Sequence, residues 1–194
     1  MRKIVLGFAF LFVLAGCSST TENAVQERKA TRVTVVSSAK PADVLPAFHT
    51  FTWNEKYSRV LSAINEDNEK NIQQYIRNQI IRYLETKGYE YQPDPAQADV
   101  VIGFLFALED DLADQEIQDR FGLLPGVSSS GVTDKRYEKG SLLFAVLDNN
   151  LKQVYWRSAM QGFVDFEKDR SDPNNESFQA VLEMMMGGFP NAGR

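Results

Sequence analysis

Cys17 is the only cysteine in a chain of 194 residues, and it follows Ile4–Gly16, thirteen residues without a charged side chain. A lone thiol cannot close an internal disulfide even in an oxidising compartment, so stability must come from packing. Its surroundings are more informative than the thiol itself. Arg2 and Lys3 precede the apolar run, Ala15 and Gly16 put small residues directly before the cysteine, and Ser18, Ser19, Thr20, Thr21, Glu22 and Asn23 follow it. Basic start, short apolar stretch and small-residue cleavage site are the three parts of a bacterial export signal. As a helix the run would be about 20 Å long, short of the roughly 30 Å hydrocarbon core of a bilayer. On these residues alone, an ordinary secretory signal with a chance cysteine and a short membrane anchor both stay open.

Elsewhere, residues that do chemistry are sparse. His49 is the single histidine. With no cysteine, serine or metal-ligand neighbour in a recognisable arrangement, it reads as a packed or edge side chain. The sequence has no H-E-x-x-H, no paired cysteines and no G-x-x-x-x-G-K-[ST] loop, and "GVSSSG" misses the G-x-S-x-G elbow by one residue. Nucleophilic triads are thereby nearly excluded. Carboxylates are plentiful, and "EDDLADQEIQD", residues 109 to 119, carries six in eleven positions. Hard cations need clustered oxygens, but the alternating acids and central glycine of an EF-hand are missing, so the stretch reads as a solvated acidic turn of helix. Asn175-Glu176-Ser177 matches a glycosylation sequon and is read as chance. No catalytic, cofactor-binding or metal-ligating residue is assigned.

The elements that would position any site are easier to read. Residues 18–31 are polar without apolar periodicity, a flexible tether spanning roughly 20 Å as a random coil. Arg32-Val33-Thr34-Val35-Val36 has the β-branched character of a short strand. "AFHTFTW", residues 47 to 53, alternates as a strand with His49, Phe51 and Trp53 on one face and Thr50 and Thr52 on the other. From Asn68 to Lys87, Ile72, Tyr75, Ile76, Ile80, Tyr83 and Leu84 recur at helical spacing, and Gly88 supplies a left-handed cap. "ADVVIGFLFAL", 98 to 108, is apolar enough to be a central strand covered on both faces. Strand, helix, strand suggests a crossover connection.

A hairpin follows, from "GSLLFAVL" to "KQVYWRSAMQGFVDF", turning through Asp148-Asn149-Asn150-Leu151, where Asn and Asp tolerate the unusual φ values of a tight turn. A last helix is expected from Asp172-Pro173, with Phe178, Val181, Leu182, Met185 and Phe189 on one face and Gly187-Gly188 and Pro190 stopping it. Met184, Met185 and Met186 could line an adaptable surface and read more simply as core-edge filling. Residues 109–139 make a connection longer than the usual limit of about 12–15 residues. Within it, Phe121, Leu123 and Leu124 are candidate partner contacts, since apolar residues in a long loop must fold back or meet something else.

Composition narrows the partners. The formal charge is −5, and removing residues 1–16 takes away Arg2 and Lys3 and no acid, leaving −7. An acidic chain without a dense basic patch argues against nucleic-acid binding. The length after the signal suits one domain with a proper core.

Two resemblances extend these readings. Leu14-Ala15-Gly16-Cys17 resembles the lipobox of bacterial lipoproteins, which implies a diacylglyceryl thioether on Cys17, cleavage before it, and an acyl chain such as palmitate on the new amino group. Ser18, in place of the aspartate that favours inner-membrane retention, implies an outer-membrane address facing the periplasm. At roughly 0.8 kcal/mol per buried methylene, three chains would make attachment effectively permanent. Further on, "FHTFTW", "YLETKGY", "ADVVIGF", "GSLLFAVLD…VYWRS" and "GGFP" occur in the order that resembles the lipoproteins of DUF4136, a domain of unknown function, over residues 48 to 190. That family implies no catalytic residues.

The expected molecule is therefore a signal peptide (1–16), a lipidated cysteine with its tether (17–31), and a single α+β domain (32–194). In that domain a mixed or antiparallel β-sheet packs against two amphipathic helices. The leading functional reading is a non-enzymatic, lipid-anchored outer-membrane protein. It needs no cofactor beyond the lipid on Cys17 and acts on envelope partners through Phe121, Leu123 and Leu124. The alternative is a small-ligand or lipid carrier, or a hydrolase, using a cleft with carboxylates and tyrosines such as Tyr75, Tyr83 or Tyr155.

Overall fold

The computed structural model describes residues 33–39, 46–61, 66–108, 118–119, 122, 126–128, 130–165 and 176–194. Cys17 and its tether, Phe121, Leu123, Leu124, Asp172-Pro173 and most of the acidic stretch lie outside these residues.

Six strands and two helices run along the described chain. β1 is Val33–Ala39, β2 Thr50–Leu61, α1 Glu66–Thr86, β3 Glu90–Tyr91, β4 Val100–Leu108, β5 Glu138–Asp148, β6 Val154–Val164 and α2 Glu176–Met186. They form one sheet in the order β1-β6-β5-β4-β2-β3. The first three pairings, β1 to β6 to β5 to β4, are antiparallel, whereas β4 with β2 and β2 with β3 are parallel. The sheet is mixed, and the domain is α+β, as its pattern of elements implied.

Both helices cover the same sheet face. From α1, Ile72, Ile76, Ile80, Tyr83 and Leu84 join Leu182, Met185 and Met186 of α2 in one core with Val100, Ile102, Phe104 and Phe106 of β4 and Phe144 and Val146 of β5. Alternation along β4 sends Leu105 to the opposite face, where it clusters with Leu143, Ala145, Leu147 and Ala159, and Tyr57, Leu61, Val36 and Leu151 pack against them. Every residue of β4 is buried, which is why its sequence reads as an unbroken apolar run. Each fully buried Ile or Leu contributes about 1.5–3 kcal/mol relative to exposure. The methionines divide by face, with Met185 and Met186 buried and Met184 exposed.

Three local features differ from expectation. The short edge strand β3 carries no sequence signal, because two residues show no periodicity. In the β5–β6 turn the left-handed residue is Leu151, at φ 59°, rather than Asn or Asp. The polar side chains serve otherwise: the Asp148 carboxylate accepts the backbone N–H of Asn150 and Lys152, and Asn149 donates to the carbonyl of Ala98. Finally, the "AFHTFTW" strand begins at Thr50 and runs past Trp53 to Leu61.

The "GGFP" segment closes the domain. Gly187 N–H bonds the carbonyl of Glu183 and ends α2, so Phe189 turns inward. Its ring lies 5.4 Å from Trp156, 5.6 Å from Tyr89 and 5.9 Å from Phe48. Lys87 Nζ then donates to the Phe189 carbonyl, Tyr89 Oη to Pro190, and Gly193 N–H to Phe48.

Candidate functional site

β2 leaves regular pairing in its middle. Phe51, Thr52 and Trp53 face Val100, Val101 and Ile102, after which the next pair is Ser58 with Phe104. Five steps along β2 thus match two along β4, and three residues are extra. A bulge of this kind bends the strand and re-aims its side chains. Because three is odd, the face also changes: Phe51 and Trp53 point to the helices before the bulge, and Ser58 and Val60 after it. The Asn54 side chain accepts the backbone N–H of Lys56 and shapes the turn. Gly103 makes the fold-over possible, since a Cβ there would stand 2.6 Å from Cβ and 2.7 Å from the carbonyl oxygen of Tyr57.

Beside the bulge lies a groove of about 670 Å³, lined by Glu55, Lys56, Ser58, Arg59, Val60, Glu69, Lys70 and Gln73. Its walls are the outer part of β2 and the first turns of α1. β3 pairs only with Thr50 and Phe51, so among the described residues no strand continues along that edge of β2 beyond them. Gln73 Nε2 donates to the carbonyl of Ser58 at 2.5 Å, covering one edge acceptor. Arg77 donates to Glu55 at 2.6 Å and lies 5.5 Å from the Trp53 ring centroid.

This end of the domain holds polar atoms that lack partners. The Ser58 hydroxyl, Trp53 Nε1 and Arg77 Nε are all buried without a hydrogen bond. Leaving such a group unsatisfied costs about 1–3 kcal/mol, and a native fold that tolerates several in one place invites an explanation.

Titratable groups with shifted pKa values lie elsewhere and serve the scaffold. The Asp99 carboxylate accepts the backbone N–H of His49 at 2.8 Å and Thr50 at 2.9 Å, which holds its pKa below the usual carboxylate range. Asp134 is lowered by its bonds to Arg136, and Asp148 by the turn amides of Gln153, Lys152 and Asn150. Burial pushes Tyr89 up to about 12. Tyr83 is raised further, first by burial and then by its 2.7 Å bond to Glu183.

The structure does not gather the tyrosines of the alternative reading. Tyr83 bridges α1 to α2 through Glu183, Tyr75 packs edge-on to Phe178 at 5.5 Å, and Tyr155 packs against the core from β6. None of the three lines the groove. The lone histidine is exposed, with Nε2 2.7 Å from where a Cβ on Gly193 would sit. Among the described residues no group of His, Cys, Asp and Glu is arranged to hold a metal, and no helix is long and apolar enough to cross a membrane. Sequence reading missed the groove because Asn54-Glu55-Lys56 looks like the end of a strand. The Asx turn at Asn54 is the signal that could have marked the bulge.

The family described as a domain of unknown function, DUF4136, matches residues 35–191. No curated protein matches the chain. Among solved structures, the PelC dodecamer from Paraburkholderia phytofirmans is 11% identical with a TM-score of 0.48, covering 84% of this chain and 100% of that one. A DUF4136 family protein from Bacteroides thetaiotaomicron is 15% identical with a TM-score of 0.48, covering 82% and 98%. A PDZ domain protein from Parabacteroides distasonis is 14% identical with a TM-score of 0.47, covering 89% of this chain and 42% of that one.

Proposed function

This chain belongs to the DUF4136 family, and from that premise we propose that it is a lipid-anchored protein of the bacterial outer membrane, facing the periplasm, that works by binding envelope partners rather than by catalysis. The observation that carries the reading is Leu14-Ala15-Gly16-Cys17 after a short apolar run with a basic start. Acylation of Cys17 would moor the domain, and the polar segment behind it would keep the domain within roughly 20 Å of the bilayer. Phe121, Leu123 and Leu124 are the proposed contacts, and no cofactor, metal or nucleic acid enters the reading.

Labelling cells with radioactive palmitate and fractionating their envelopes tests it. The wild-type protein is expected to carry label and to sediment with outer membranes, while Cys17→Ala loses the label and the membrane association. A Cys17→Ala protein that fractionates like the wild type would refute the anchor. Replacing Phe121, Leu123 and Leu124 by serine together should abolish recovery of cross-linked envelope proteins.

The groove at β2 and α1 favours the carrier form of the alternative reading, with charged side chains in place of the tyrosines.

A further inference from the structure

We propose that the groove between the β2 bulge and the first turns of α1 is a binding site for an oxyanion, a carboxylate or phosphate group borne by a small ligand. It is independent of lipid anchoring, which could fail its own test without touching this one.

Three observations converge on it. The first is the floor. Ser58 is 1% exposed, and its hydroxyl has no hydrogen-bond partner although it lies in the groove wall. The three extra residues of the bulge are what turned this serine toward the helix, where an apolar side chain such as Val60 would pack at no polar cost. A hydroxyl buried there offers a proton to something that is not part of the fold.

The second is the surplus of donors. The Gln73 amide uses one hydrogen on the Ser58 carbonyl and has a second to give. Together with the Ser58 hydroxyl it gives the groove donors that an acceptor-rich ligand would satisfy.

The third is charge. Lys56, Arg59 and Lys70 line the groove, and among the described residues no ion pair engages any of them. Of the two carboxylates, Glu55 is held by Arg77 at 2.6 Å, which leaves Glu69 as the acid opposing three ammonium or guanidinium groups. Among the lining residues positive charge outnumbers negative, in a chain whose formal charge is −5. Charge-assisted bonds from such groups to a carboxylate or phosphate are about twice as strong as neutral ones. Glu69 repels an anion and tunes the affinity down.

The test uses the full-length protein in a non-ionic detergent, titrated calorimetrically with inorganic phosphate, with glucuronate and with neutral glucose at constant ionic strength. Saturable binding of phosphate, glucuronate or both in roughly the millimolar range is expected, with none for glucose. Phosphate alone would point to a phosphorylated ligand, and glucuronate alone to a sugar acid. Lys56→Ala, Arg59→Ala and Lys70→Ala combined should weaken binding by about tenfold or more, and Glu69→Gln should strengthen it. Should the triple variant fail to fold, Glu69→Gln still decides. Absence of saturation with both anions, equal binding of glucose, or unchanged affinity in Glu69→Gln would each overturn the proposal.

Discussion

At the start of β2, neighbours take up the backbone from every side. The Asp99 carboxylate holds the N–H groups of His49 and Thr50, the amides of Glu90 and Gln92 bond the carbonyls of His49 and Phe51, and Gly193 reaches the carbonyl of Phe48. Past Trp53 the same strand swells into a bulge, and Ser58, Trp53 and Arg77 keep buried polar atoms without partners. The first end is packed with aromatic rings around Phe189, the second with charged side chains around a groove. One strand thus has an end that holds the fold and an end that spends some of its stability. Unsatisfied polar groups and like charges persist where a site is needed, and the rest of the domain must tolerate them.

The contrast can be broken most severely at the packed end. Phe189→Ala should lower unfolding free energy by about 3–5 kcal/mol in urea denaturation, because the rings of Phe48, Tyr89, Phe144 and Trp156 lose their shared neighbour. A loss below about 1 kcal/mol would mean that the cluster is ornamental.

Gly103→Ala strikes the seam between the two ends. The new methyl would meet Tyr57 backbone, which cannot swing aside as a side-chain tip can. A loss of about 1–3 kcal/mol is expected, together with altered anion binding, since the bulge must shift. Unchanged stability and binding would show that the bulge does not depend on this close approach.

Asp99 supplies a pH-dependent comparison. Its folded pKa is depressed by the amides of His49 and Thr50. It therefore contributes stability above its unfolded value near 4, and that contribution is lost as pH falls through the lower folded value. Asp99→Asn should be less stable than wild type at pH 7, and the gap should close below about pH 4. A gap independent of pH would assign the effect to something other than the carboxylate's charge.

The smallest effect, and of opposite sign, is expected at the groove. Ser58→Ala removes a buried hydroxyl with no partner, so stability should hold or rise by up to about 1 kcal/mol while anion affinity falls. Destabilisation would indicate that the hydroxyl is satisfied within the fold.

The regular parts of this protein were legible because their signals are local. Ile72, Ile76, Ile80 and Leu84 announce a one-sided helix, and the run from Val100 to Leu108 announces a strand buried on both faces. Gly88 takes the left-handed cap its position suggests, at φ 86°. Polar side chains in the β5–β6 turn suggested where the chain reverses, but which residue went left-handed depended on how Asp148 and Asn149 were bonded.

By itself, the order of residue types determined the long strands and the one-sided helices, since each depends on neighbours a few positions apart. Tertiary structure alone decided that β2 slips three residues against β4, that Gly103 admits Tyr57, and that Ser58, Gln73 and Lys70 meet across a groove. Register between strands some forty residues apart is set by packing over the whole sheet, and no local pattern in either strand records it.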